Sequence, residues 1–447
     1  MAKNSYILNP SFKKDYPVIA SGRGIYMYDE QGREYIDASS GAVLVSLGYG
    51  KPGMGDTLKA QSDRISFAYR WDCVTDILEQ ACHGVCEASG FDFSKVFYVC
   101  GGSEATEIAI KLARRYFINL GQPGKYKVIS RWQSYHGSTM GVLSVTGFMT
   151  RKRGYEPYMT EHGHIPPAYC YRCWYGKTRG ACNFECAQAL ENEILCQGAD
   201  SVAAFMMEPI SGMSLCGAHP DEGYYRKIRQ ICDKYHVLLI DDEVMAGMGR
   251  TGSYYAYQQL GFVPDIVALG KALAGGYFPI GAVACTQSIY DAILNGTAEF
   301  PPGYSWAGNP LGSAIVVKTL EILKEQNLVP QVGEKGKYLK EKLKQMALRH
   351  PTVGDVRGRG LMVGLEFVRD RDTKEPFAPE VKYAQQICSA ALERGMFLET
   401  STGCDRGARG DMAMVAPAFI VTYEQIGQIV GVLDGAITAV EAANGYC

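Results

Sequence analysis

The 447-residue sequence predicts an α/β protein: a large domain built on a mostly parallel sheet flanked by helices, joined by a smaller α+β domain. Three observations predict it. Short apolar or β-branched runs alternate with helical patterns from about Phe91 onward, as in a doubly wound sheet. After about Leu311 that alternation gives way to longer helices and Gly-flanked strands. At 47% hydrophobic and 21% charged residues, the chain can bury a large core and is too long for one small domain.

Taken in order, "GIYMYDEQGREYIDASSG" has the alternation and turn residues of a hairpin, expected to pack against the smaller domain. The strands of the large sheet are "VFYV" (96–99), "KVIS" (127–130), "VAAFMME" (202–208), "VLLIDDE" (237–243) and "DIVALG" (265–270). Then come a helix, "GSAIVVKTLEILKEQ", and a strand between glycines, "VRGRGLMVGLEFV". A helix near 381–394, an irregular Gly-rich piece at 401–411, a strand "MAMVAPAFIV" and a final helix from Tyr423 complete the chain. The expected division is an N-terminal segment over 1–70 that packs with the small domain, a large domain over 71–320 and a small domain over 321–447.

A net charge of −2 offers no field to steer nucleic acid or an anionic membrane surface. No apolar run reaches the roughly 18 residues of a spanning helix, and "MAKNSYILNPSFKKDYP" lacks the apolar core of a signal peptide. The expectation is a soluble metabolic protein of the cytoplasm, whose fifteen cysteines are reduced.

Four stretches carry chemistry. In "VCGGSEATEIAIKLARR" a strand ends, two glycines turn the backbone and a helix starts at Ser103. Free N–H groups at such a start, with the helix dipole, suit a phosphate, although an ordinary capped helix reads the same way. In "SRWQSYHGSTMG" Tyr135 and His136 follow a strand, where an aromatic ring either stacks on a flat ligand or packs on its neighbours. "VLLIDDEVMAGMGRTG" delivers Asp241, Asp242 and Glu243 to a strand end. Three adjacent acids repel unless one meets a cation, either a metal or a protonated ring nitrogen. In "DIVALGKALAGGYFPIGAV", Lys271 ends a strand, where it is either a solvated helix-start lysine or a desolvated nucleophile able to form a Schiff base with an aldehyde. A phosphate seat, an aromatic platform, an acid for a ring nitrogen and a nucleophilic lysine, each after its own strand, are the parts that hold pyridoxal phosphate.

With these residues, "MEPI", "SWAGNPLGSA", "RGRGLMVGLEF" and "VAPAFIVT" in this order, the sequence resembles class III aminotransferases of the pyridoxal-phosphate fold-type I superfamily over nearly its whole length. The resemblance implies a large domain with a seven-stranded, mostly parallel sheet and a small domain drawn from both chain ends. It implies that Lys271 carries the cofactor as a Schiff base and moves the proton, and that Asp242, rather than Asp241, keeps the pyridine nitrogen protonated. Tyr135 and His136 would contact the ring, Gly102 and Ser103 the phosphate, and Glu208 would stand near the ring hydroxyl. Ser305 occupies the place of a family Thr that reaches the phosphate of a neighbouring subunit, which implies a homodimer, or a tetramer containing it.

For substrate the sequence offers Tyr69 and Trp71 as aromatic pocket residues, with Arg70 between them, and Arg406 or Arg409 as a clamp for a carboxylate, Arg409 being preferred. The implied reaction moves an amino group from an ω-amino acid or amine to a keto acid such as pyruvate or 2-oxoglutarate. An aminomutase, a racemase or a decarboxylase acting on dialkylglycines would use the same parts. A nicotinamide oxidoreductase is disfavoured because no strand-associated G-x-G-x-x-G is followed by an acid about 20 residues on. No metal is required, but Cys170, Cys173, Cys182 and Cys186 form a C-x2-C-x8-C-x3-C pattern that leaves structural zinc or an iron–sulfur cluster open.

Overall fold

A computed structural model of the chain describes residues 6–12 and 14–446; residues 1–5 and Lys13 of the N-terminal segment, and Cys447, lie outside the described residues. Seven strands form the large sheet, in the order Lys95–Val99, Gly281–Cys285, Ile266–Leu269, Leu238–Asp242, Val202–Met207, Lys127–Arg131, Gly163–Ile165. Gly281–Cys285 is antiparallel to both neighbours, and the other pairings are parallel. Since that one reversed strand lies between Lys95–Val99 and Ile266–Leu269, these two run in the same direction. All five strands expected from sequence therefore end on one edge of the sheet. The two unexpected strands are Gly163–Ile165, a three-residue piece at the sheet's end too brief to show a period, and Gly281–Cys285, which follows the glycine turn after Lys271.

Alternation along the strands divides the core. Phe205, Met207, Leu239 and Val267 face the cluster that holds Tyr224, Tyr225 and Ile228 of the helix Glu222–Lys234. Met206, Ile240, Ile266 and Ala268 face Ile108, Ala109 and Leu112 of the helix Gly102–Asn119. With helices on both faces, Val202–Met207 is buried at every position, as central parallel strands are. Each large apolar side chain so buried stabilises the fold by about 1.5–3 kcal/mol.

The strands Ile19–Arg23, Tyr26–Asp29 and Glu34–Asp37 share a second sheet with Met396–Phe397, so the N-terminal hairpin is joined to the C-terminal part. A third sheet is antiparallel, in the order Val353–Gly358, Val363–Phe367, Arg409–Val415, Glu399–Asp405. It corrects two expectations. "VRGRGLMVGLEFV" is two strands, because Gly358 and Gly360 turn the chain between them. The Gly-rich piece at 401–411 is no irregular segment but the turn of a hairpin, with Gly407 at φ 74° where a side chain would be strained. Nor is the strand "MAMVAPAFIV" continuous: it starts at Arg409 and stops at Val415, before Pro417.

One expectation about composition also changes. The helix Tyr423–Ala443 is long and apolar enough to cross a membrane by length and composition alone. Here it buries Ile426, Ile429, Leu433 and Ile437 against the helices Leu328–Ala347 and Tyr383–Glu393. The large and small parts are pinned by Arg250, fully buried, whose Nη1 donates to the carbonyls of Leu361, Ala416 and Pro417 at 3.0, 3.3 and 2.7 Å. Burial lowers its pKa to about 9, against the opposing pull of Asp37.

Candidate active site

Residues that follow the five parallel strands meet at their common carboxyl edge, where ligands of open α/β sheets bind. After Lys95–Val99 the helix begins at Gly102, with no side-chain cap on its first N–H groups. A Cβ on Gly102 would stand 2.5 Å from Val244 Cγ1, so only glycine lets the turn approach. Val244 also stands 3.2 Å from the place a Cβ on Gly270 would take, so this one valine packs the helix start against the turn that carries Lys271. Ser103 Oγ accepts the Ser138 N–H at 3.0 Å, which joins the helix start to the loop after Lys127–Arg131. Uncapped N–H groups, a hydroxyl and a glycine without room for a side chain suit a phosphate.

In that loop Tyr135 donates its N–H to Glu208 Oε1 at 3.0 Å, and its phenol meets Ser138 Oγ at 2.6 Å. Its ring lies edge-on to Phe148. His136 is buried; its N–H donates to Thr146 Oγ1 at 3.0 Å, and its carbonyl accepts from Thr106 Oγ1 at 2.7 Å. His136 Nδ1 lies 2.8 Å from Asp242 Oδ2, while Asp242 Oδ1 accepts the Val244 N–H at 3.1 Å. With Nδ1–H donating, the buried Nε2 is an acceptor without a partner among the described residues. A buried polar atom left open calls for a group that is not protein.

The three consecutive acids separate by direction. Asp242 faces the edge site. Asp241, on the opposite face of the strand, is fully buried; burial and then neighbouring Glu243 push its carboxyl well above the usual range. Glu243 accepts the N–H groups of Ala256 and Tyr257 at 2.7 and 2.9 Å, and burial raises it to about 7. Of the three, only Asp242 turns to the strand edge, beside His136.

Glu208 follows Val202–Met207. Its Oε1 takes Tyr135 N–H, its Oε2 takes Gly212 N–H at 2.5 Å, and its carbonyl accepts from the buried Arg131. Burial raises its pKa. Lys271, after Ile266–Leu269, has φ 46°, a strained conformation for a residue with a side chain. Burial lowers its pKa, with Asp242 and Glu208 pulling the other way, and no ion pair engages it among the described residues. Segment 39–49 folds back over this turn: a Cβ on Gly276 would meet Val45, and Tyr277 Oη donates to the Gly48 carbonyl at 2.7 Å.

Gly102, Ser103, Tyr135, His136, Glu208, Asp242 and Lys271 are thus gathered at one edge. No hydrogen bond, ion pair or ring contact among the described residues joins Tyr69, Trp71, Ser305 or Arg409 to them. Tyr69, Trp71 and Ser305 are exposed, and Arg70 lies 4.2 Å over the Phe97 ring. Arg409 is held by Glu375 and Asp405, each at 3.0 Å, and Arg406 stacks 5.2 Å over Trp174. Val244, Thr106, Thr146 and Arg131 were not anticipated; they are ordinary core or strand residues in sequence, and only the fold turns them to the site. Cys170, Cys173, Cys182 and Cys186 do line one cavity of about 30 Å³. Burial pushes Cys186 up to about 12 and raises Cys170, and no group of three or more His, Cys, Asp or Glu side chains among the described residues is arranged to hold a metal.

The gathered residues fit pyridoxal phosphate: a helix start for phosphate, an open imidazole nitrogen, a carboxylate for the pyridine and a desolvated amine. Comparison with known proteins agrees. The aminotransferase class-III family matches residues 10–437. The chain is 35% identical to the uncharacterized aminotransferase YodT of Bacillus subtilis over 98% of each chain. It is 34% identical to a diaminobutyrate–2-oxoglutarate transaminase of Halomonas elongata, over 95% of this chain and 91% of that one. The crystal structure of the omega transaminase of Pseudomonas jessenii in complex with PMP superposes with a TM-score of 0.90 at 30% identity, covering 96% of this chain and 94% of the other.

Proposed function

The chain belongs to the class-III aminotransferases, pyridoxal-phosphate enzymes of fold type I, and from that premise we propose that it moves an amino group from an ω-amino acid or amine to a keto acid, pyruvate or 2-oxoglutarate. Bound at the strand edge, the cofactor supplies the electron sink that lets the carbon bearing nitrogen lose a proton. The helix start at Gly102 and Ser103 would hold its phosphate and Tyr135 its ring, while His136 fixes Asp242, which would keep the pyridine nitrogen protonated. Glu208 would stand near the ring hydroxyl. Lys271, whose pKa burial lowers, takes the proton from the donor carbon and returns it. Ser305 reaches the phosphate seat of a second copy, so the working enzyme is a homodimer, or a tetramer containing it. We place it in the cytoplasm.

The observation that best supports this reading is Lys271, desolvated and without a salt bridge, between Asp242 and Glu208. The test mixes holoenzyme with single amines and amino acids, without keto acid, and follows the visible band of bound cofactor. Loss of the band together with a carbonyl product from one donor class is expected. A band that persists while the added molecule is isomerised or racemised would replace the transaminase by a mutase or racemase.

A further inference from the structure

Apart from the strand edge, the molecule has a second polar cleft, one of whose arginines, Arg406, the sequence also offers as a carboxylate clamp. It lies where segment 170–178 meets the turns at 373–374 and 404–406, and its volume of about 340 Å³ suits a small molecule. We propose that this cleft binds a small oxyanion, a molecule bearing a carboxylate or a phosphate.

Four cations line it, Arg172, Lys177, Lys374 and Arg406, against one acid, Asp405, which is already paired with Arg409 at 3.0 Å. Arg172 spends Nε on Glu366 at 2.5 Å; its Nη2 is buried and has no partner among the described residues. Arg406 offers its guanidinium across Trp174, with no ion pair among the described residues. Lys374 gives one N–H to the Tyr171 carbonyl at 2.8 Å and keeps two donors free. Besides Arg172 with Glu366, Lys177 has an acid near, Glu185 at 3.7 Å; Lys374 and Arg406 have no ion pair among the described residues. Like charges gathered in this way repel, and an anion relieves them. Two guanidinium groups and an ammonium are the donor types that grip carboxylate or phosphate oxygens.

The cleft adjoins the catalytic edge. Gln133, two residues before Tyr135, donates its amide to the carbonyls of Gly403 (3.1 Å) and Cys404, which fixes one wall.

The test titrates holoenzyme, whose own phosphate seat is filled, with inorganic phosphate and separately with succinate, by calorimetry and tryptophan fluorescence. At least one probe is expected to bind saturably, one per chain, and the preferred probe tells phosphate from carboxylate. The double variant Lys374→Ala, Arg406→Gln should weaken that binding at least about tenfold, as loss of charge-assisted hydrogen bonds does. Trp174→Phe should remove the fluorescence change while the heat persists. Lys374→Gln alone, in an exposed turn, guards against misfolding of the double variant and should weaken binding by about threefold. No saturable heat with either probe, or heat unchanged in these variants, would overturn the assignment. Because the readout is binding, it stands or falls apart from the proposed amino-group transfer.

Discussion

A half-buried lysine at a strand end, at φ 46° and with no ion pair among the described residues, costs stability that the fold must supply elsewhere, which is how functional residues are commonly held. Lys271→Ala should therefore lower turnover by about a thousandfold or more while leaving the apoprotein folded, because both the nucleophile and the proton carrier go. Steady-state kinetics with a donor that passes the half-reaction test checks this, and a variant with near-normal turnover would remove Lys271 from its role. Asp242→Asn keeps the shape but loses the charge opposite the ring nitrogen. It should retain the cofactor and lose about a hundredfold or more in kcat. Both residues were legible in the sequence because each is a charged group ending an apolar run. Read residue by residue, the run left open which of three acids serves the site, and the resemblance implied Asp242. Strand alternation turns Asp241 into the core, and two backbone N–H groups claim Glu243.

At the scale of elements, the site depends on close approach between turns. Gly102→Ala would drive a methyl into Val244 and push the helix start away from the turn at Gly270. The expected outcome is weaker cofactor binding by about tenfold, measured by equilibrium dialysis, with partial recovery in the pair Gly102→Ala, Val244→Ala. No recovery would mean that the glycine matters for another reason. Elsewhere, the helices Glu185–Gln197 and Glu222–Lys234 are clamped by Glu191. Its Oε1 accepts from Lys234 Nζ at 2.6 Å and Tyr235 Oη at 2.9 Å. Lys234 first, then Gln188 and Tyr235, hold its carboxyl at about 2, below the ordinary 4.5. A depressed carboxylate stabilises the fold above its unfolded value, and the gain fades as pH falls from 4.5 toward about 2. Glu191→Gln should thus melt about 1 °C lower than wild type at neutral pH, and the gap should close in acid; screening by solvent keeps it small. The strands that build the site were legible because each is a short apolar or β-branched run followed by a turn or a helical pattern. The glycine-rich hairpin and the three-residue Gly163–Ile165 were not, since turns and so short a piece leave no periodic trace.

At the scale of the whole molecule, three of the four residues that sequence assigned to the site but the single chain leaves apart, Tyr69, Trp71 and Ser305, lie beside exposed aromatic rings, whereas Arg409 is held in the C-terminal hairpin. Phe67, Tyr69, Trp71 and Trp306 are 42–57% exposed, and Phe67 meets Trp306 edge-on at 5.4 Å between centroids. Ser305 is exposed beside Trp306. Aromatic residues gathered in water favour an interface, so a second copy covering them would bring Tyr69, Trp71 and Ser305 to its own strand edge. The resemblance implied the phosphate of a neighbouring subunit as the target of Ser305, and within one chain Ser305 meets none of the residues gathered at the edge. Trp306→Asp should then shift sedimentation toward monomer and weaken cofactor binding together, whereas Ser305→Ala should leave the dimer intact and weaken the cofactor by about tenfold. A wild-type monomer at micromolar concentration, retaining its cofactor fully, would sink the shared site. If instead Trp306→Asp dissociates the copies and cofactor affinity is unchanged, Ser305 serves the interface and the phosphate is held from within one chain.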